Sequence, residues 1–171
     1  MEQRVALVTG ATRGIGAATA ASLADAGMVV VGTATSEPGA LAITAALESK
    51  GGCGMVLNVT DASACESVLK HIESTYGAIS VLVNNAGITR DTLIMRMKDE
   101  DWDAVLETNL KSVFRLSRGV IRGMMKARFG RIINVGSVVG SMGNAGQVNY
   151  AAAKAGLIGL TKALAQEVGS R

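Results

Sequence analysis

An α/β fold built on a doubly wound parallel sheet is predicted by three features of this chain. Short, nearly all-apolar runs rich in Val and Ile alternate with helical patterns. The first run leads directly into a glycine-rich turn. The composition is aliphatic, with 49% apolar but only 3% aromatic residues, 21 Gly and one Pro. Strands apolar on both sides belong in a parallel sheet covered on both faces, and right-handed crossovers between them give a Rossmann-type sheet.

The elements follow in order. Strands are expected at Val5–Thr9, Met28–Thr33, Gly54–Asn58, Val81–Asn84 and Arg131–Val135. Helices are expected over Ile15–Ala26, Gly39–Lys50, Ala62–Tyr76, Asp99–Arg128 and Asn149–Val168. Pro38 suits a helix start, where its missing N–H costs nothing. The long Asp99–Arg128 segment carries an apolar stripe of Trp102, Val105, Leu106, Leu110, Val113, Phe114, Val120, Ile121 and Met124. The chain reads as a single dinucleotide-binding domain over 1–171. A six-strand order requires another strand after the last helix, so the sheet is expected to be truncated after the helix that follows the fifth strand. That would leave a bare apolar edge.

Composition excludes several classes. The formal charge of +3 comes without a basic run, so nucleic acid is not an expected partner. No apolar stretch reaches bilayer length, so no membrane partner is expected either. The first strand begins so near the initiator Met that no signal peptide is expected, and the cytoplasm is the expected location. Cys53 and Cys65 are isolated and His71 is the sole histidine, so no metal site is expected. The two thiols are expected to pack as small hydrophobes, and His71 to lie on the surface.

The chemistry-bearing residues gather at strand ends. Thr9-Gly10-Ala-Thr-Arg13-Gly14-Ile-Gly16 joins the first strand to the first helix. Glycines there permit a tight turn and close approach of backbone to a pyrophosphate, which the helix N-terminus favours. The second strand ends at Thr33-Ala34-Thr35-Ser36, with no acid to repel a 2′-phosphate, although Glu37 is close. Arg13 could pair with that phosphate, so NADPH is expected over NADH. Asn84-Asn85-Ala86-Gly87 ends the fourth strand, either as a plain turn or as part of the cofactor rim. Asn109 falls inside the apolar stripe, as a core amide bonded to neighbouring backbone or as a holder of a water or a lysine. Ser137 ends the fifth strand. Tyr150-Ala-Ala-Ala-Lys154 opens the last helix with a phenol and an ammonium four residues apart, on one helical face. A phenol of pKa about 10 becomes a better proton donor beside a cation, because the cation favours the phenolate.

Together these motifs resemble the short-chain dehydrogenase/reductases, over the whole chain and in family order. Gly32-Thr-Ala-Thr-Ser36, Ile88-Thr-Arg-Asp-Thr-Leu93, Met95-Arg-Met-Lys98 and Gly136-Ser-Val-Val-Gly140 are most similar to the 3-oxoacyl-[acyl-carrier-protein] reductases of bacterial fatty acid synthesis. The resemblance implies an oxidoreductase that uses NADPH to turn a β-keto thioester into a 3-hydroxyacyl product. It implies Tyr150 as general acid and Lys154 as the group that tunes it and holds the nicotinamide ribose. Ser137 would bind the substrate carbonyl, and Asn109 would anchor a water in a proton relay. Gly10, Thr12, Arg13, Gly14, Ile15 and Gly16 would surround the phosphates. Thr35 would lie at the adenosine end, Asn58 and Val59 by the adenine, and Asn85 by the ribose. An acyl carrier protein would dock at Arg128 and Arg171, and the protein would form a homotetramer through its long helices. An acetoacetyl-CoA or small-ketone reductase, and a non-catalytic nucleotide-binding or assembly piece, are the alternative readings.

Overall fold

A computed structural model describes residues 4–171. Five strands form one parallel sheet: β1 (Val5–Val8), β2 (Val29–Ala34), β3 (Cys53–Val56), β4 (Ile79–Asn84) and β5 (Arg131–Asn134), in the spatial order β3-β2-β1-β4-β5. The helices are α1 (Gly14–Asp25), α2 (Glu37–Leu47), α3 (Ala62–Tyr76), α4 (Asp99–Leu106), α5 (Ser112–Ala127), α6 (Val139–Met142) and α7 (Val148–Val168).

The sheet divides two apolar layers, and the two-residue period of a strand does the dividing. Val5 and Leu7 of β1 enter a layer with Leu69, Ile72, Leu116 and Val120 from α3 and α5. Ala6 and Val8 enter the opposite layer with Ala20, Ala24 and Ile43 from α1 and α2. The small alanines of α1 let that helix lie close to the strands. Among the described residues no helix is long and apolar enough to cross a membrane. His71 is exposed, Cys65 is buried in the first layer and Cys53 packs against it.

Several expectations need correction. Burial on both faces holds for β1, β2 and most of β4, but β3 and β5 are the sheet edges and are half-exposed, with Ile133 at 47% exposure. The helix expected from Gly39 starts earlier, at Glu37, because Ser36 caps it through Gly39 N–H; residues Glu48–Lys50 form a separate 3-10 turn. The continuous helix expected over Asp99–Arg128 is interrupted by a π turn at Glu107–Lys111. It ends at Ala127, with Arg128 in the left-handed conformation at φ 52°. Trp102 and Phe114 of the apolar stripe lie outside the core, 40% and 49% exposed. Phe114 is one residue, about 100°, round the helix from buried Val113. The short helix α6 was not anticipated, since four residues carry no periodic signal.

Candidate active site

The glycine turn closes tightly over the end of β1. A Cβ on Gly16 would stand 2.1 Å from the Gly10 carbonyl oxygen, so only glycine lets α1 start here. Gly10 itself sits at φ +64°. Arg13 is the N-cap residue of α1 but makes no side-chain cap bond, and Thr12, Arg13, Gly14 and Ile15 are all exposed. The first-turn N–H donors, which have no partner within the helix, are therefore open to an anion.

The turn is held from the β4 side. The buried Thr9 hydroxyl accepts from the backbone N–H of Asn85 and of Ala86, both at 3.0 Å. Asn85 Nδ2 donates to the carbonyls of Thr9 and Gly10 at 3.0 and 2.9 Å. Asn85 thus lies at the carboxyl end of β4 beside the glycine turn, with its amide turned onto that turn. Asn84 is buried one position earlier and donates to Asn134 Oδ1 across the β4–β5 pairing at 2.9 Å.

Asn109 lies at the centre of the π turn and is 1% exposed. Its Nδ2 donates to the Ile88 carbonyl and its Oδ1 accepts from the Ile88 N–H, each at 2.8 Å. The amide therefore satisfies one backbone residue completely and pins the loop that follows β4. This is the core-amide arrangement. A π turn inserts one residue into a helix and turns its neighbours by a fraction of a turn, a device frequent at functional sites.

Lys154 is buried in α7, one turn after Tyr150. Its Nζ donates to the Val135 carbonyl at 2.7 Å and lies 5.6 Å from the centroid of the Tyr150 ring. The phenol and the amine thus share one face, as their spacing requires. Burial pushes the Lys154 amine below the ordinary lysine range. Ser137 is two residues beyond Val135, and its Oγ accepts from Val139 N–H at 3.2 Å, which leaves the hydroxyl hydrogen to donate elsewhere. The helix α6 that follows packs directly on α7: a Cβ on Gly140 would meet the Lys154 backbone carbon at 2.8 Å. Ser137 and Lys154 are thereby held at the same carboxyl end of the sheet as the glycine turn.

The residues expected at the adenosine side lie just past the ends of β2 and β3. Thr35 is exposed just past β2. Asn58 is exposed, and its Oδ1 accepts from both the N–H and the hydroxyl of Thr60. Val59 is buried. Arg128 and Arg171 are both exposed and line one groove of about 390 Å³, with Arg131 and the apolar Ile121, Met125 and Leu164.

Three residues escaped the sequence reading. Thr9, expected only as the end of the first strand and the start of the turn, anchors the post-β4 backbone through its hydroxyl. Asn149, fully buried, donates to the carbonyls of Arg90 and Asp101 and ties the post-β4 loop to the start of α7. Arg115 is largely buried and donates to the Val59 and Thr60 carbonyls. The one sequence signal for Asn149 is its position directly before Tyr150; Arg115 has none, because its partners are 55 and 56 residues away.

Comparison with known proteins agrees with this geometry. The family model described as short chain dehydrogenase matches residues 4–171. The chain is 63% identical over 170 residues to the 3-oxoacyl-[acyl-carrier-protein] reductase FabG of Escherichia coli (strain K12), covering 99% of this chain and 69% of that protein. It is 64% identical over 171 residues to the protein of the same name from Vibrio cholerae, covering all of this chain and 70% of the relative. The Pseudomonas aeruginosa FabG is 58% identical over 173 residues, again with 70% of the relative covered. With the parallel sheet, the glycine turn and the Tyr150–Lys154 pair in family order, the chain belongs to the short-chain dehydrogenase family.

Proposed function

We propose that this protein is an NADPH-dependent 3-oxoacyl-[acyl-carrier-protein] reductase of fatty acid synthesis, acting as one dinucleotide-binding unit over residues 1–171. The observation that carries the reading is the Lys154 amine lodged between the Val135 carbonyl and the Tyr150 ring, two residues from Ser137. The identity of over 60% to reductases of that name supports the substrate class.

The residues present fit the cofactor. The open first turn of α1 and the turn Gly10, Thr12, Arg13, Gly14, Ile15 and Gly16 would take the pyrophosphate. Thr35 would border the 2′-phosphate, with Arg13 as its cation; Asn58 and Val59 would border the adenine, and Asn85 the ribose. When bound, NADPH supplies the hydride. The chain's own residues do the rest. Ser137 donates its free hydroxyl hydrogen to the substrate carbonyl oxygen and orients it. Tyr150 gives its proton to that oxygen as the carbonyl carbon is reduced. Lys154 stabilises the negative charge left on the phenolic oxygen and holds the nicotinamide ribose. Asn109 acts from a distance, by fixing the Ile88 loop, and would anchor a water in the proton relay that reaches Lys154.

Docking of an acidic carrier protein is assigned to Arg128 and Arg171, which share a groove with Arg131. A homotetramer is assigned to the exposed faces of α4 and α5, where Trp102 and Phe114 remain uncovered. The decisive experiment measures kcat/KM for acetoacetyl groups carried on the carrier protein and on coenzyme A, with NADPH and with NADH. The carrier-linked substrate with NADPH should be preferred. Equal or better turnover of the coenzyme A thioester would move the protein to the small-ketone reductases of the same family.

A further inference from the structure

Arg115 is a positively charged side chain that the reaction does not use, yet it is one of the most heavily bonded side chains in the molecule. Its side chain is 15% exposed. It donates to the carbonyls of Val59 and Thr60 at 3.1 and 3.3 Å and to Glu107 Oε1 at 2.9 Å. Glu107 is the first residue of the π turn that holds Asn109, and it is held in turn by Lys111 at 2.8 Å. On the other side, Val59 and Thr60 belong to the loop between β3 and α3. Leu57 and Val59 of that loop are buried in the core, Asn58 and Thr60 form a local turn, Cys65 Sγ lies 3.5 Å from the Val59 carbonyl, and Asp61 caps α3 through Ala64 N–H; among the described hydrogen bonds, those of Arg115 are the ones that tie the loop to α5.

We infer that Arg115 is a positioning residue for the adenine end of the cofactor site, its guanidinium fork holding the Asn58–Val59 rim against α5 while Glu107 holds the fork. This rests on the reading of Asn58 and Val59 as the adenine rim. The chemistry selects arginine. Two carbonyls from consecutive residues and one carboxylate converge on one planar group with several fixed donors, a match that the single point charge of lysine does not reproduce. The geometry also explains a charge in an otherwise apolar neighbourhood. Arg115 is one residue from buried Leu116, and a buried guanidinium persists only where its donors are satisfied. A loop of adenosine contacts that is held in place before binding does not have to be ordered by the ligand, and so binds it more tightly.

The test titrates NADPH, by its fluorescence, and 2′,5′-ADP, by competition, into the wild type and into Arg115→Met, Arg115→Lys and Glu107→Gln. Turnover at saturating NADPH and melting temperature are measured alongside. Arg115→Met should weaken both ligands about tenfold while kcat stays within about twofold. Arg115→Lys should recover less than half of the loss, and Glu107→Gln should weaken both ligands to a smaller degree. A folded Arg115→Met protein that binds both ligands as the wild type does, with only its melting temperature lowered, makes Arg115 a plain structural clamp and overturns the inference. Weaker NADPH with unchanged 2′,5′-ADP places the effect at the nicotinamide end and overturns it too. Should Arg115→Met not fold, Glu107→Gln decides: unchanged affinities reject the inference, and a parallel loss for both ligands supports it. Failure of the wild type to bind NADPH would instead remove the functional reading on which this rests.

Discussion

The amine of Lys154 is bonded to the carbonyl of Val135, 2.7 Å away, so that the end of the edge strand β5 and the active-site helix α7 meet at a buried cation. The carbonyl gives the ammonium one strong partner, and burial opposes the charge. The charge of Lys154 is therefore held at a cost to the fold.

That cost has a sign. The folded pKa of Lys154 is lowered from that of an unfolded lysine, so burial penalises the folded state fully at pH values below the lowered pKa. As pH rises from there toward about 10.4, the unfolded chain holds the proton that the folded chain has released, and stability increases. The melting temperature of the wild type minus that of Lys154→Met should accordingly climb through the alkaline range. A flat difference would show that the buried charge is fully compensated by Val135. At neutral pH the same variant should lose both turnover and NADPH affinity.

Tyr150→Phe keeps the ring over Lys154 and removes only the hydroxyl. Turnover should fall by roughly 10²–10⁴, the range of general acid catalysis, with NADPH affinity nearly unchanged. Near-normal turnover would end the assignment of Tyr150 as proton donor.

Asn109→Ala leaves the N–H and the carbonyl of Ile88 without partners. Ile88 is half-buried, so each orphaned group costs toward the low end of about 1–3 kcal/mol, and a loss of about 2–3 kcal/mol is expected in urea unfolding, together with faster proteolysis in the loop after β4. Asn109→Asp keeps the acceptor for Ile88 N–H and loses the donor, so its melting temperature should fall between the two. A stability equal to the wild type in Asn109→Ala would mean that the loop is held instead by Asn149 and by the Thr92 N–H, which donates to the Gly146 carbonyl at 2.9 Å.

Gly16→Ala places a methyl group 2.1 Å from the Gly10 carbonyl, a backbone atom that cannot rotate away. The turn must open to admit it. A protein that folds with a clearly lowered melting temperature and at least tenfold weaker NADPH binding is expected. Gly159→Ala, on α7 with open space around its added carbon, is the control and should leave both unchanged.

Much of this molecule is legible in its sequence because the signals are local. The strands announce themselves as apolar runs, and each is found within a few residues of where the pattern puts it. The glycine turn follows from the need for close backbone approach, and the Tyr150–Lys154 face follows from the helical repeat alone. The class of chemistry is therefore readable in the sequence. What tertiary structure decided depends on groups far apart in the chain. Asn109 meets Ile88 across 21 residues, Lys154 meets Val135 across 19, and Arg115 meets Thr60 across 55. No periodicity encodes such pairs. The π turn is likewise invisible to pattern, since the residues flanking it are ordinary helix formers, and the exposure of Trp102 and Phe114 depends on which face the sheet covers. Sequence determines which groups are available at the carboxyl rim; only packing determines which of them are free to act on a ligand and which are already bonded to the backbone.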